Sequence, residues 1–116
     1  MQLRQYPPFE SNKKSVLKKY PHSSATIENA IQGLVSRPEQ GDLYPGFEGF
    51  QVRKIRIALP EYKLSSRKGL RLLFLYYEAR KIVVPLYIYK KGDYKESQVK
   101  KATIEALKQV LEAMQD

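Results

Sequence analysis

The stretch FQVRKIRIAL, residues 50–59, decides the fold. Its side chains alternate. Ile55, Ile57 and Leu59 fall on one side of an extended chain, and Lys54 and Arg56 on the other. That two-residue period belongs to a strand with one face buried and one face open. Pro60 closes it. A polar loop, residues 61–69, follows and carries Lys63, Arg67 and Lys68. Residues 70–79 and 82–89 then read as two long apolar and aromatic strands. The four residues around Glu78 and Lys81 join them, a separation short enough to predict antiparallel pairing. Pro85 lacks an amide proton for a ladder, so it requires an edge or a bulge.

The chain upstream changes period. Phe9, Val16, Leu17 and Tyr20 share one face of a helix predicted over 9–20, with Lys13, Lys14, Lys18 and Lys19 around the rest. Pro21 stops it. Ile27, Ala30, Ile31, Leu34 and Val35 form a stripe at helical spacing after Ser23 and Ser24, either of which can cap it; Pro38 and Gly41 end it. Residues 3–7 read as a short edge strand closed by Pro7 and Pro8. The C-terminal part is helical again, with Val99, Ile104, Ala106, Leu107, Val110, Leu111 and Met114 on one stripe and Asp93 or Ser97 available as the cap. Helices first, strands together and a last helix predict an α+β fold: a helical hairpin packed on a small, mostly antiparallel sheet, plus a C-terminal helix. The hairpin stripe and Ile55, Ile57 and Leu59 are expected to share one core.

At 116 residues the chain has the length of one domain, residues 1–116. It has no cysteine, and so neither disulfides nor thiolate metal sites. No apolar run is long enough to span a membrane, and the first eight residues lack the apolar core of a secretory leader, so a cytoplasmic location is expected. The formal charge is +9, with a pI near 9.7. Such a field favours polyanionic partners. Between residues 50 and 91 there are eleven Lys and Arg against two acids, so the excess gathers on the predicted sheet and its loops. Tyr62, Tyr76, Tyr77, Tyr87, Tyr89 and Tyr94 are interleaved with them. Cations hold phosphates and aromatic faces stack bases, the combination that reads single-stranded RNA. The plainer alternative is a solvated sheet face with core tyrosines.

No hydrolase site of ordinary type is visible. His22, the one histidine, lies in a turn between helices and reads as a surface or capping residue. Asp42 and Asp93 have no further carboxylate or histidine at ligand spacing, so no metal and no cofactor are expected. The glycines of residues 45–49 read as a turn, not a phosphate loop. RNA cleavage requires none of these. The 2′-hydroxyl attacks the neighbouring phosphorus; the protein aligns the attack, moves two protons and stabilises the phosphorane. Arginine serves the charge, gripping two phosphate oxygens at once.

Several fragments, in order, resemble the RelE/ParE toxin superfamily, and most of all its RelE/HigB-like ribonuclease branch. They are Phe9 with Leu17-Lys-Lys-Tyr-Pro21, Ala30-Ile31 with Leu34, Pro38 with Gly41, Arg53-Lys-Ile-Arg-Ile57, Gly69-Leu-Arg71 and Leu86-Tyr-Ile-Tyr-Lys90. The resemblance covers roughly residues 3–110. It implies a toxin of a type II toxin–antitoxin system that cleaves mRNA on the ribosome, with an RNA site on the sheet face opposite the hairpin. It also implies a cognate antitoxin that wraps the chain and blocks that face; the charge of +9 predicts that the segment bound there carries acidic and apolar residues. By position the resemblance implies site roles for Arg56, Arg71, Lys90, Lys91 and Tyr94, of which Arg56, Arg71, Lys91 and Tyr94 are taken as catalytic and Lys90 as RNA-binding; the basic and aromatic pattern adds Lys54, Lys63, Arg67, Lys68 and Tyr89 as RNA-binding candidates. Arg56 and Arg71 are expected on one open face beside Lys90 or Lys91. The chain departs from the family pattern at Pro85 and in having no histidine in the site region. A non-catalytic toxin-fold module that binds an antitoxin or RNA, and a ParE-like gyrase inhibitor, are the alternatives.

Overall fold

The computed structural model describes residues 1–115. In chain order the elements are strand β1 (Gln2–Leu3), helix α1 (Pro7–Lys19), helix α2 (Ser24–Ser36), strands β2 (Asp42–Leu43), β3 (Gln51–Ile57), β4 (Leu70–Tyr77) and β5 (Ile82–Lys90), and helix α3 (Glu96–Ala113). The five strands form one mixed sheet in the order β1-β5-β4-β3-β2. β1 runs parallel to β5, and the other three pairings are antiparallel. The fold is α+β, as the order of helical and strand periods predicts.

Each face of the sheet has its own core. On one, Phe9 of α1 and Ile27, Ile31 and Leu34 of α2 pack with Ile57, Leu59, Leu70, Leu72, Phe74, Val83 and Ile88, and Ile55 is partly buried against them. This is the expected meeting of hairpin and strand stripes, and each such aliphatic side chain contributes about 1.5–3 kcal/mol on burial. On the other face, Val99, Ala106, Leu107 and Val110 of α3 pack with Val52, Leu73, Leu75, Ile82, Val84, Leu86 and Tyr89. The second face is therefore not a bare sheet; α3 covers part of it.

A bulge in β5 sets which of its side chains go where. Leu73 pairs with Tyr87 and Phe74 with Pro85, so Leu86 is the extra residue. The proline thus sits at a ladder irregularity, where its missing donor costs least. Because of the extra residue, Leu86 and Tyr87 both belong to the α3 side, and Ile88 turns to the hairpin side.

Local chemistry departs from expectation at several ends. Pro7 and Pro8 open α1 instead of closing β1, since a first-turn proline loses no helical hydrogen bond. Ser23 is the residue before α2, but its hydroxyl donates to the Tyr20 carbonyl (2.7 Å), so neither serine caps the helix. Lys95, not Asp93 or Ser97, precedes α3, and its amide donates to the Gln98 side-chain carbonyl (2.9 Å). Asp93 instead pairs with Lys19 (2.7 Å). β3 ends at Ile57, β4 at Tyr77, and β2 has no counterpart in the sequence reading. Asn12 of α1 reaches the outer edge of β5, donating to the Ile88 carbonyl (3.0 Å) and accepting from its amide (2.7 Å). Among the described residues, no helix is long and apolar enough to cross a membrane.

Candidate functional site

The strand register builds the site. Arg56 of β3 lies opposite Arg71 of β4, and Arg71 lies opposite Tyr89 of β5. One row further in, Lys54 lies opposite Leu73, and Leu73 opposite Tyr87. Since cross-strand partners share a face, Arg56, Arg71, Tyr89, Lys54 and Tyr87 all stand on the side away from the hairpin. They fill the end of that face, and the rows beyond are apolar and lie beneath α3.

The five side chains differ in access. Arg56 is exposed, and Lys54 and Tyr87 are half-buried. Arg71 and Tyr89 are each only 4% exposed, so Tyr89, expected among the RNA-binding residues, is buried and presents little surface. Arg71 turns its guanidinium onto backbone. Nη1 donates to the carbonyls of Ser66 (2.7 Å) and Leu70 (3.2 Å), and Nη2 to that of Arg67 (2.8 Å). Burial, and then the neighbouring Arg56 cation, hold its pKa below the ordinary arginine value, with Tyr89 opposing. Burial also raises the Tyr89 phenol to about 12, helped by the Glu96 carboxylate.

Tyr44, next to β2, was not anticipated as part of this site. Its amide donates to the Val52 carbonyl (2.8 Å), which keeps it on the edge of the same face. Its hydroxyl donates to Glu96 Oε1 at 2.6 Å, and Lys54 Nζ lies 3.9 Å from that oxygen. Lys54 and Lys100 both lie over the Tyr44 ring, at 5.0 and 5.7 Å from its centre. Burial and then the Glu96 hydrogen bond raise the Tyr44 phenol far above its usual range. Tyr87 stacks on Tyr89 with centroids 5.9 Å apart. Glu96, Lys100, Tyr44 and Tyr87 complete the site. Of these, only Tyr87 had a signal in the sequence, its place among the interleaved tyrosines.

The remaining expected residues separate. Arg67 and Lys68 are exposed in the turn that folds over Arg71. Lys63 is exposed, in a left-handed turn conformation (φ 56°), between Tyr62 and Leu64, which pack with the hairpin-side core. Lys90 pairs with Leu70, whose side chain lies in the hairpin-side core. Of the two lysines expected beside the arginines, Lys90 therefore stands on the opposite face from Arg56. Lys91 is exposed just beyond β5. Tyr94 is 52% exposed and lines a small cleft with Asn12, Lys19, Tyr20 and Asp93 on the α1 side and Tyr89 and Lys90 on the β5 side, so it borders the arginine row at Tyr89. His22 is exposed at the turn between α1 and α2, its amide donating to the Tyr62 hydroxyl (2.8 Å). Among the described residues, no three His, Cys, Asp or Glu side chains come together as a metal-binding group.

The chain matches no protein-family model and no curated protein.

Proposed function

We propose that this chain is an RNA-cleaving toxin of the RelE/HigB-like kind, acting on mRNA at the ribosome and held in check by a cognate antitoxin. The observation that carries the reading is a pair of facing arginines without a counter-ion. Arg56 and Arg71 oppose each other across β3 and β4. Among the described residues, no carboxylate is in ion-pair contact with either. Like charges directly opposite in a sheet are destabilising. An uncompensated pair with one member open to solvent is the electrostatic shape of an oxyanion site.

In the proposed reaction the 2′-oxygen bonds to phosphorus, the bond from phosphorus to the 5′-oxygen breaks, the leaving 5′-oxygen takes a proton from water, and a 2′,3′-cyclic phosphate and a 5′-hydroxyl result. Arg56 meets the charge that grows on the phosphorane. Glu96, its side chain 65% exposed and oriented by Tyr44, is the carboxylate this face offers to take the 2′-proton. Tyr87 offers a half-buried ring edge for a base. The test is a reconstituted translation reaction with a defined message, the product ends being identified chemically. Cleavage leaving cyclic phosphate, and lost in Arg56→Ala, is expected. An intact message with wild-type protein, on and off ribosomes, overturns the reading.

One observation favours a second reading, a module that binds RNA or an antitoxin without cutting. Arg71, the residue to which the resemblance gives the charge-stabilising role, spends its guanidinium on three carbonyls. Retained RNA binding without cleavage separates the two.

A further inference from the structure

We propose that Arg71 is a positioning residue: it pins the turn at residues 65–69 from below, so that Arg67 and Lys68, and not Arg71 itself, meet the phosphates of bound RNA. The RNA part of this rests on the function proposed above; the pinning does not.

The turn is anchored at its base by backbone. Leu59 and Leu64 exchange hydrogen bonds at 2.9 and 3.0 Å, closing the loop before it. Lys91 donates its amide to the Gly69 carbonyl (3.0 Å), tying the end of the turn to the end of β5. Gly69 lies so close to β3 that a Cβ there would run into the Ile57 carbonyl oxygen. The tip has less. Lys68 donates to Ser65 across the turn (3.0 Å). Beyond that, the Arg71 guanidinium holds it, gripping the carbonyls of Ser66 and Arg67 from the sheet side.

The geometry separates an inner from an outer layer. The carbonyls point in to Arg71, which is buried, while residues 65–68 are all exposed. A charge this deep, with three of its five N–H groups already on carbonyls, presents almost no surface to a ligand. Two fresh cations at the tip have everything left. Among the described residues neither Arg67 nor Lys68 makes a salt bridge or a side-chain hydrogen bond. A planar fork reaches two successive carbonyls with two separate nitrogens; an ammonium has its three donors on one nitrogen and holds the pair less rigidly.

The test pairs two measurements. The first is binding of a fluorescent oligoribonucleotide by wild type, Arg71→Met, Arg67→Ala/Lys68→Ala, and the triple variant. Arg71→Met is expected to weaken binding on the order of tenfold in the wild-type background, the size of a 1.4 kcal/mol change. In the Arg67→Ala/Lys68→Ala background it is expected to change binding by less than about twofold, since a residue acting only through another has no independent effect. An equal loss in both backgrounds means that Arg71 touches RNA directly and overturns the proposal. The second is limited trypsin digestion of the folded proteins. Arg71→Met is expected to speed cutting after Arg67 and Lys68 several-fold, with global stability monitored alongside; unchanged cutting overturns the pinning. Should Arg71→Met not fold, Arg71→Lys takes its place in both arms, with the same expected loosening. If wild type binds no RNA, the RNA half of the proposal falls together with the proposed function, and the digestion still decides the pinning.

Discussion

Arg56 and Arg71 are cross-strand partners on one sheet face, one exposed and one buried, with their like charges unrelieved by any acid among the described residues. Such a pair raises the energy of the folded state unless an anion joins it. Arg56→Thr, a strand-forming replacement, is expected to raise the free energy of unfolding by about 0.2–1 kcal/mol. The same change is expected to make the logarithmic salt dependence of RNA binding shallower by about 0.7, one phosphate contact on a single strand. Urea denaturation and anisotropy titrations over a salt series measure both. A destabilised variant with an unchanged salt slope would take Arg56 out of the site.

Lys90 supplies the contrast. It carries the same kind of charge as Lys54 and lies one register position from Arg71 across β4 and β5, but the register turns it to the hairpin side. Lys90→Ala is expected to leave oligoribonucleotide affinity within about twofold of wild type, while Arg56→Ala weakens it. Equal losses from the two would mean that RNA wraps the end of the sheet instead of lying on one face.

Asn12 closes an edge. Its side-chain amide satisfies both backbone groups of Ile88 on the outer side of β5, beyond the residues that β1 pairs with. Asn12→Leu leaves those groups without partners and is expected to cost about 1–3 kcal/mol of stability. It also frees a strand edge, so concentration-dependent light scattering is expected to rise. Wild-type stability and scattering in this variant would show the contact to be incidental.

Alkaline pH tests the buried phenols. Burial raises Tyr89 from the ordinary 10 to about 12, and raises Tyr44 further, through burial and its bond to Glu96. The folded state thus keeps phenolic protons that the unfolded state releases above pH 10. Stability is expected to be undiminished by these groups below pH 10 and to fall as pH rises toward 12. Tyr89→Phe is expected to make that fall shallower. Tyrosinate absorbance, read together with urea denaturation at each pH, checks both; buried phenols that ionise with the ordinary midpoint while the protein stays folded would contradict the burial.

The sequence by itself determined the three helices, the three long strands and the sidedness of β3, but not the short strand β2. Periods of two and of three to four residues are local properties of an extended or helical chain. That is why Ile55 and Ile57 could be assigned to the hairpin core and Lys54 and Arg56 to the other face before any partner was known. Pro85 likewise announced an irregular ladder, because the missing amide proton is written in the residue type. Tertiary structure alone decided the rest. Uninterrupted alternation along β5 would group Ile88 and Lys90 with Val84 and Leu86; the extra residue at Leu86 turns Ile88 and Lys90 to the hairpin and brings Tyr87 and Tyr89 to the arginines. Which residue faces Arg56 is a matter of register between strands thirteen residues apart at their nearest ends, and a one-residue slip would have exchanged every contact. Arg71 reads in sequence as one more cation on a basic face. Its burial follows only from where the turn at residues 65–69 folds, since carbonyls that satisfy a guanidinium are present in every residue and leave no signature in the side chains.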